Sequence, residues 1–136
     1  LILADASVWI DRTRDNATPQ VRRLAELLAA GELAVGDLTI TEVLQGFQRQ
    51  ADYDRVRALL LSLPIMEIVG REVAVRAAEH HRFLRSKGVT VRKTIDTLIA
   101  TRCILDGHAL LFSDRDFQPF VEWLGLRDGM DHPPVG

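Results

Sequence analysis

A single cysteine in 136 residues excludes a disulfide framework. Cys103 lies in the apolar stretch TLIATRCIL and reads as a buried, unreactive thiol. That usage fits a reducing compartment, so a cytoplasmic location is the expectation. Long apolar runs are lacking too. None approaches the roughly 20 residues of a membrane-spanning helix. The opening LILADASVWID has no basic n-region and is interrupted by Asp5, so it is not expected to be a signal peptide. No membrane partner is expected.

Lysine is scarce: Lys87 and Lys93 are the only two among 17 basic residues. A receiver-type signalling domain needs a lysine after a late strand and an acidic pair ending the first, and neither is present. A haloacid-dehalogenase-type phosphatase needs an aspartate two residues beyond Asp5, where Ser7 stands. No P-loop occurs. Histidine is also sparse. His80 and His81 are adjacent, His108 is near a turn, His132 is in the tail, and no spacing suggests zinc or a serine–histidine pair.

What remains is an ordinary globular composition, 47% hydrophobic, with a net charge of −2 that excludes no class of partner. Strand and helix patterns alternate. LILAD, LAVG, PIMEIV and HALLFS read as strands, with GLRD as a fifth. Helices are expected over 18–30, with Pro19 in the first turn and Gly31 behind it, and over 39–50, 53–62, 71–86 and 94–105. A shorter helix is expected over 114–123, and Asp52 is placed to cap the helix at 53. This order predicts an α/β fold, a central parallel sheet of four or five strands with helices on both faces. One domain is expected over 1–130, with 131–136 (DHPPVG) as a C-terminal tail.

Parallel sheets bind ligands outside the carboxyl ends of their strands. Asp5 ends the first strand, and Asp114 and Asp116 follow the fourth. Glu42 and Asp96 lie in the first turns of helices. Each has a local explanation as well. Thr39 and Glu42 are spaced as a capping box, Thr94 can cap above Asp96, Ser7 can cap a helix opening at Val8, and Ser113 or Asp114 can cap the next helix. Caps do not explain the conjunction along one edge. At ~5 Å and an effective dielectric near 20, each carboxylate pair costs on the order of 3 kcal/mol. Helix dipoles return roughly 0.3–1 kcal/mol each. Repulsion wins unless some acids stay protonated or a divalent cation sits among them, and hard oxygen ligands suit Mg²⁺ or Mn²⁺. Such a site serves phosphate chemistry. Ser7 and Thr39 stand behind the acids, Ser7 placed to orient a ligand or water.

Residues 82–93 carry Arg82, Arg85, Lys87, Arg92 and Lys93 without an acid. The pattern fits a solvated helix end, or an RNA-phosphate contact beside Asp96 that would use Arg85, Lys87, Arg92 and Lys93. Arg115, between two aspartates, contacts phosphate or neutralises the cluster. Trp9, Phe47, Phe83 and Trp123 read as core or interface residues rather than base-stacking platforms. Val43, Leu44, Phe47, Val56, Leu59, Leu60 and Leu61 suit ordinary core, a dimer contact or a partner groove.

LILADASVWID, LTITEVLQGF, TIDTLIA and LLFSDRDF followed by GL, in this order over roughly residues 1–127, resemble the PIN-domain ribonucleases, specifically VapC-type toxins of toxin–antitoxin systems. The resemblance implies a Mg²⁺- or Mn²⁺-dependent endoribonuclease acting on single-stranded or looped RNA. It implies Asp5, Glu42, Asp96 and Asp114 as the acidic set, with Asp5, Asp96, Asp114 and Asp116 around the metal. It also implies a VapB-like antitoxin, wrapped over an apolar groove near Phe47 and Leu60, and a homodimer within the complex. The chain departs at Ala6, where the family often has threonine or serine. A non-catalytic PIN-like module binding RNA or protein is the alternative; the full set of acids argues against it.

Overall fold

In the first strand, Ile2 and Ala4 point to one face of a sheet and Leu3 to the other, the period-two alternation of extended chain. All three are buried, as expected where both faces are covered. The computed structural model describes residues 1–131. The expected tail and His132 fall outside them, apart from Asp131.

Five parallel strands form the sheet: β1 (Ile2–Ala4), β2 (Leu33–Gly36), β3 (Ile65–Met66), β4 (Ala109–Leu111) and β5 (Arg127–Asp128), in the order β3-β2-β1-β4-β5. Leu3 pairs with Ala34 on one side and Leu110 on the other. The strand order reverses between β1 and β4, the switch point at which such sheets bind ligands.

The helices are α1 (Ala6–Thr13), α2 (Pro19–Ala30), α3 (Asp37–Leu44), α4 (Gln50–Leu61), α5 (Gly70–Ser86), α6 (Thr94–Asp106) and α7 (Gln118–Leu124), with a 3₁₀ turn at Arg115–Phe117. On one face Ile2, Ala4, Leu33, Val35 and Leu111 pack with Val8, Trp9, Leu24, Val43, Val56 and Leu60. On the other, Leu3, Ala34 and Leu110 pack with Leu84, Ile99, Cys103, Phe117 and Phe120. This is the expected α/β architecture. Among the described residues no helix is long and apolar enough to cross a membrane.

Several local expectations are corrected. A separate helix, α1, follows Asp5, and Asp5 rather than Ser7 caps it by accepting from the Ser7 N–H. Thr39 is no N-cap. The helix opens at Asp37, whose Oδ1 accepts from Leu38 N at 2.8 Å and Ile68 N at 3.2 Å, so the capping box does not form. Thr94 is already helical, and Asp52 lies in the first turn of α4, paired with Arg55 at 3.3 Å, instead of capping it. Of the four large aromatics, Trp9 is core and Phe47 packs against it, while Phe83 and Trp123 lie outside both cores. Leu60 is fully buried, so no groove can be lined by it; of its apolar neighbours Leu61 is exposed.

Candidate active site

Asp5 leaves β1 at its carboxyl end, and its backbone N–H donates to Leu111 O of β4 at 2.8 Å. This bond places Asp5 against the segment that carries Ser113 and Asp114. The Asp5 carboxylate is 4% exposed, and its Oδ2 accepts from the Ser7 N–H at 3.1 Å and the Ser7 hydroxyl at 2.8 Å. Ser7 Oγ in turn accepts from the Ser113 N–H at 3.2 Å. One hydroxyl therefore ties the ends of β1 and β4 together and orients the first acid. Sequence reasoning read Ser113 only as a cap and missed its part in this link; the signal was its place directly before Asp114.

Asp114 caps the 3₁₀ turn, with its Oδ1 accepting from Asp116 N at 2.9 Å. The turn brings Asp116 back beside it. Asp96 arrives on the first turn of α6, whose Ile99, Ala100 and Cys103 pack on the sheet and draw the carboxylate inward. Asp96, Asp114 and Asp116 each offer an oxygen, and these oxygens lie within 4.8 Å of one another, a spacing that suits one cation. Asp5 and Glu42 lie outside this trio but within its electrostatic reach.

Burial first, and mutual repulsion after it, raise the proton affinities of the acids. Burial, then the charge of Asp5, pushes the Asp96 carboxyl up to about 7, against the opposing pull of Lys93, with Glu42 and Asp114 adding to the rise. Burial and Asp5 raise Glu42 in the same way, again opposed by Lys93. Asp5 is raised by burial despite its bonds to Ser7, with Asp114 contributing. Asp5 Oδ1, Glu42 Oε1, Asp96 Oδ2 and Ser113 Oγ are buried without a hydrogen-bond partner among the described residues. Unpartnered carboxylate oxygens in a buried site fit a hard divalent cation, which satisfies both their charge and their lone pairs.

The cations divide. Lys93, directly before α6, acts on Asp96 and Glu42, and Arg92 Nη2 lies 3.5 Å from Asp116 Oδ1. Arg85 sits in the last turn of α5, and exposed Arg115 makes no ion pair among the described residues. Lys87 is drawn elsewhere, over the rings of Phe83 and Trp123. Thr39 is buried one turn before Glu42. Phe47, with Ile10, Thr13, Arg14, Val43 and Gly46, lines a cavity of about 250 Å³ that also reaches Glu42. Cys103 takes no part: burial pushes its thiol up to about 12.

Known structures share this fold. VapBC2 from Rickettsia felis, bound to a DNA fragment from its promoter, aligns over 93% of this chain and 96% of its own at TM-score 0.73 and 15% identity. FitAcB from Neisseria gonorrhoeae aligns over 94% and 96% at TM-score 0.73 and 17% identity. A toxin–antitoxin complex from Klebsiella pneumoniae aligns over 95% and 98% at TM-score 0.67 and 21% identity. At the level of sequence, the PIN domain model matches residues 2–120, from β1 into the first turn of α7. That span includes every acid of the edge, and the chain belongs to the PIN domain family.

Proposed function

We propose that this chain is the toxin of a toxin–antitoxin module, an endoribonuclease dependent on Mg²⁺ or Mn²⁺. The observation that carries the reading is the set of buried carboxylate oxygens, on Asp5, Glu42 and Asp96, that have no hydrogen-bond partner among the described residues. Family membership and the toxin–antitoxin complexes among the structural neighbours support it. Asp5, Asp96, Asp114 and Asp116 would hold the ion. Bound there, a divalent cation supplies a Lewis acid for a phosphoryl oxygen and a water of lowered pKa.

The protein's own groups do the rest. Ser7 holds Asp5 in one orientation through two hydrogen bonds. Glu42, with its raised proton affinity, suits holding a proton beside the phosphate. Arg85, Arg92, Lys93 and Arg115 are the phosphate-binding candidates, and Arg92 must exchange Asp116 for an RNA oxygen to serve. A VapB-like antitoxin is the expected partner, seated at the Phe47 cavity, with a homodimer of this chain inside the cytoplasmic complex.

The test is cleavage of an unpaired RNA by the purified chain with Mg²⁺, with EDTA, and in Asp5→Asn and Asp96→Asn. Chelation and either substitution are expected to abolish cleavage while circular dichroism stays unchanged. Cleavage that persists in EDTA and in the double variant would sink the reading.

A further inference from the structure

Phe83 and Trp123 contribute to neither core, being 39% and 48% exposed. Yet they are ordered against each other. Their centroids lie 6.4 Å apart in an edge contact of 67°, and Lys87 Nζ sits 5.6 Å and 5.5 Å from the two rings. Cation–π attraction at an exposed site is weaker than the gain from burying a large aromatic. The cluster therefore does not repay its own exposure, and its stability is no account of why the chain has it. A single edge contact also leaves ring surface open to a flat partner.

Charge narrows the partner. Arg82, Arg85 and Lys87 flank Phe83 in the sequence at the end of α5, Lys87 alone lying over its ring, and no acid occurs from residue 80 to 95. Of the nearest acids, Glu79 is paired with Arg76 at 3.4 Å, leaving exposed Glu122 beside Trp123. The local excess is positive, against a chain of net charge −2. Position narrows it further. Trp123 lies seven residues beyond Asp116 through the 3₁₀ turn and α7, a rise of about 10 Å. An exposed π-surface in a cationic stretch of chain is what unstacked bases and their phosphates require; a duplex, with its bases already stacked, has no use for it.

We propose that Phe83, Trp123 and Lys87 form a stacking platform for unpaired nucleotides of an RNA strand whose neighbouring phosphate lies at the acid edge. Bases rest on the ring surface that the Lys87 ammonium leaves open, and Arg82 and Arg85 take the backbone phosphates. The assignment rests on the ribonuclease reading and adds to it where the strand runs.

Of the chain's two tryptophans Trp9 is fully buried, so Trp123 alone can report a stacking partner. Asp96→Asn protein in the full chain is titrated with a short oligouridylate and with an RNA duplex of equal length, following tryptophan fluorescence. Saturable quenching by the single strand and none by the duplex is expected. Phe83→Ala with Trp123→Ala, both exposed, is expected to weaken single-strand binding about five- to a hundredfold, read by anisotropy of labelled RNA. Fluorescence indifferent to RNA, while wild type still cuts and Asp96→Asn does not, overturns the platform and leaves the nuclease standing. Absence of cleavage by wild type would remove the nuclease reading first. Shielding of Trp123 that follows protein concentration, with a dimer in sedimentation, would make this a face between copies and overturn the proposal as well.

Discussion

Asp96 Oδ2 meets no donor among the described residues, while Asp5, Glu42 and Asp114 press on the carboxylate from three other segments. The folded chain therefore holds the Asp96 proton to about 7, whereas the unfolded chain releases it near 3.8. Between those values the native state binds more protons than the unfolded one, so this group destabilises the metal-free fold progressively as pH rises from about 4 to 7. Asp96→Asn removes the charge and keeps the shape. In EDTA, its melting temperature is expected to gain on wild type steadily across that window. Excess Mg²⁺ should cancel the gain, because the cation stabilises only the ionised site. A difference constant with pH would mean that Asp96 does not titrate there. The acids themselves were legible in the sequence, because strand ends and helix starts are local signals. The pairing of Arg92 with Asp116, the Ser7–Ser113 link and the exposure of Phe83 were not, since each depends on which distant segments the sheet brings together.

At the scale of elements, β4 is constrained from its neighbour. Gly129 N–H donates to Leu110 O at 2.8 Å, and a Cβ at Gly129 would come within 2.9 Å of Leu111 N and 3.0 Å of Leu111 Cα. Backbone of an interior strand cannot yield as a side-chain tip can. Gly129→Ala is expected to cost about 1–3 kcal/mol, seen as a lower urea midpoint at unchanged slope. It should also slow cleavage, because β4 leads directly to Ser113 and Asp114. Gly46→Ala, where the nearest atom is Val43 O at 3.7 Å, is the control and should leave the midpoint almost unmoved. Alternation of strand and helix was readable because Thr18, Pro19 and Gly31 bracket α2 and apolar periodicity marks the rest. The start of α3 was not readable: Asp37 binds Ile68 N, a donor from the far side of β3 that no local pattern announces. Likewise the start of α1 was misplaced, at Val8 behind Ser7, because its cap is Asp5, an acid with a second part to play.

For the whole molecule, the partner expectation yields a charge argument. An antitoxin arginine entering the acid edge replaces the metal's charge and forms charge-assisted hydrogen bonds with the carboxylates. Antitoxin affinity should then fall as Mg²⁺ or salt rises, and fall again in Asp96→Asn, measured by titration at several Mg²⁺ concentrations. An affinity indifferent to both places the partner elsewhere. The pairing of β1 with β4 has a consequence in time as well as in space. Residues 2–4 lie beside 109–111, so Asp5 is synthesised more than a hundred residues before Asp114, which it faces across the sheet edge. At 5–20 residues per second, about 5–20 s of translation separates them. Throughout that interval the nascent chain holds a partial set of carboxylates and no closed edge to gather them. On the proposed reading, the edge is therefore unable to cut RNA until the segment that carries Asp114 has been made.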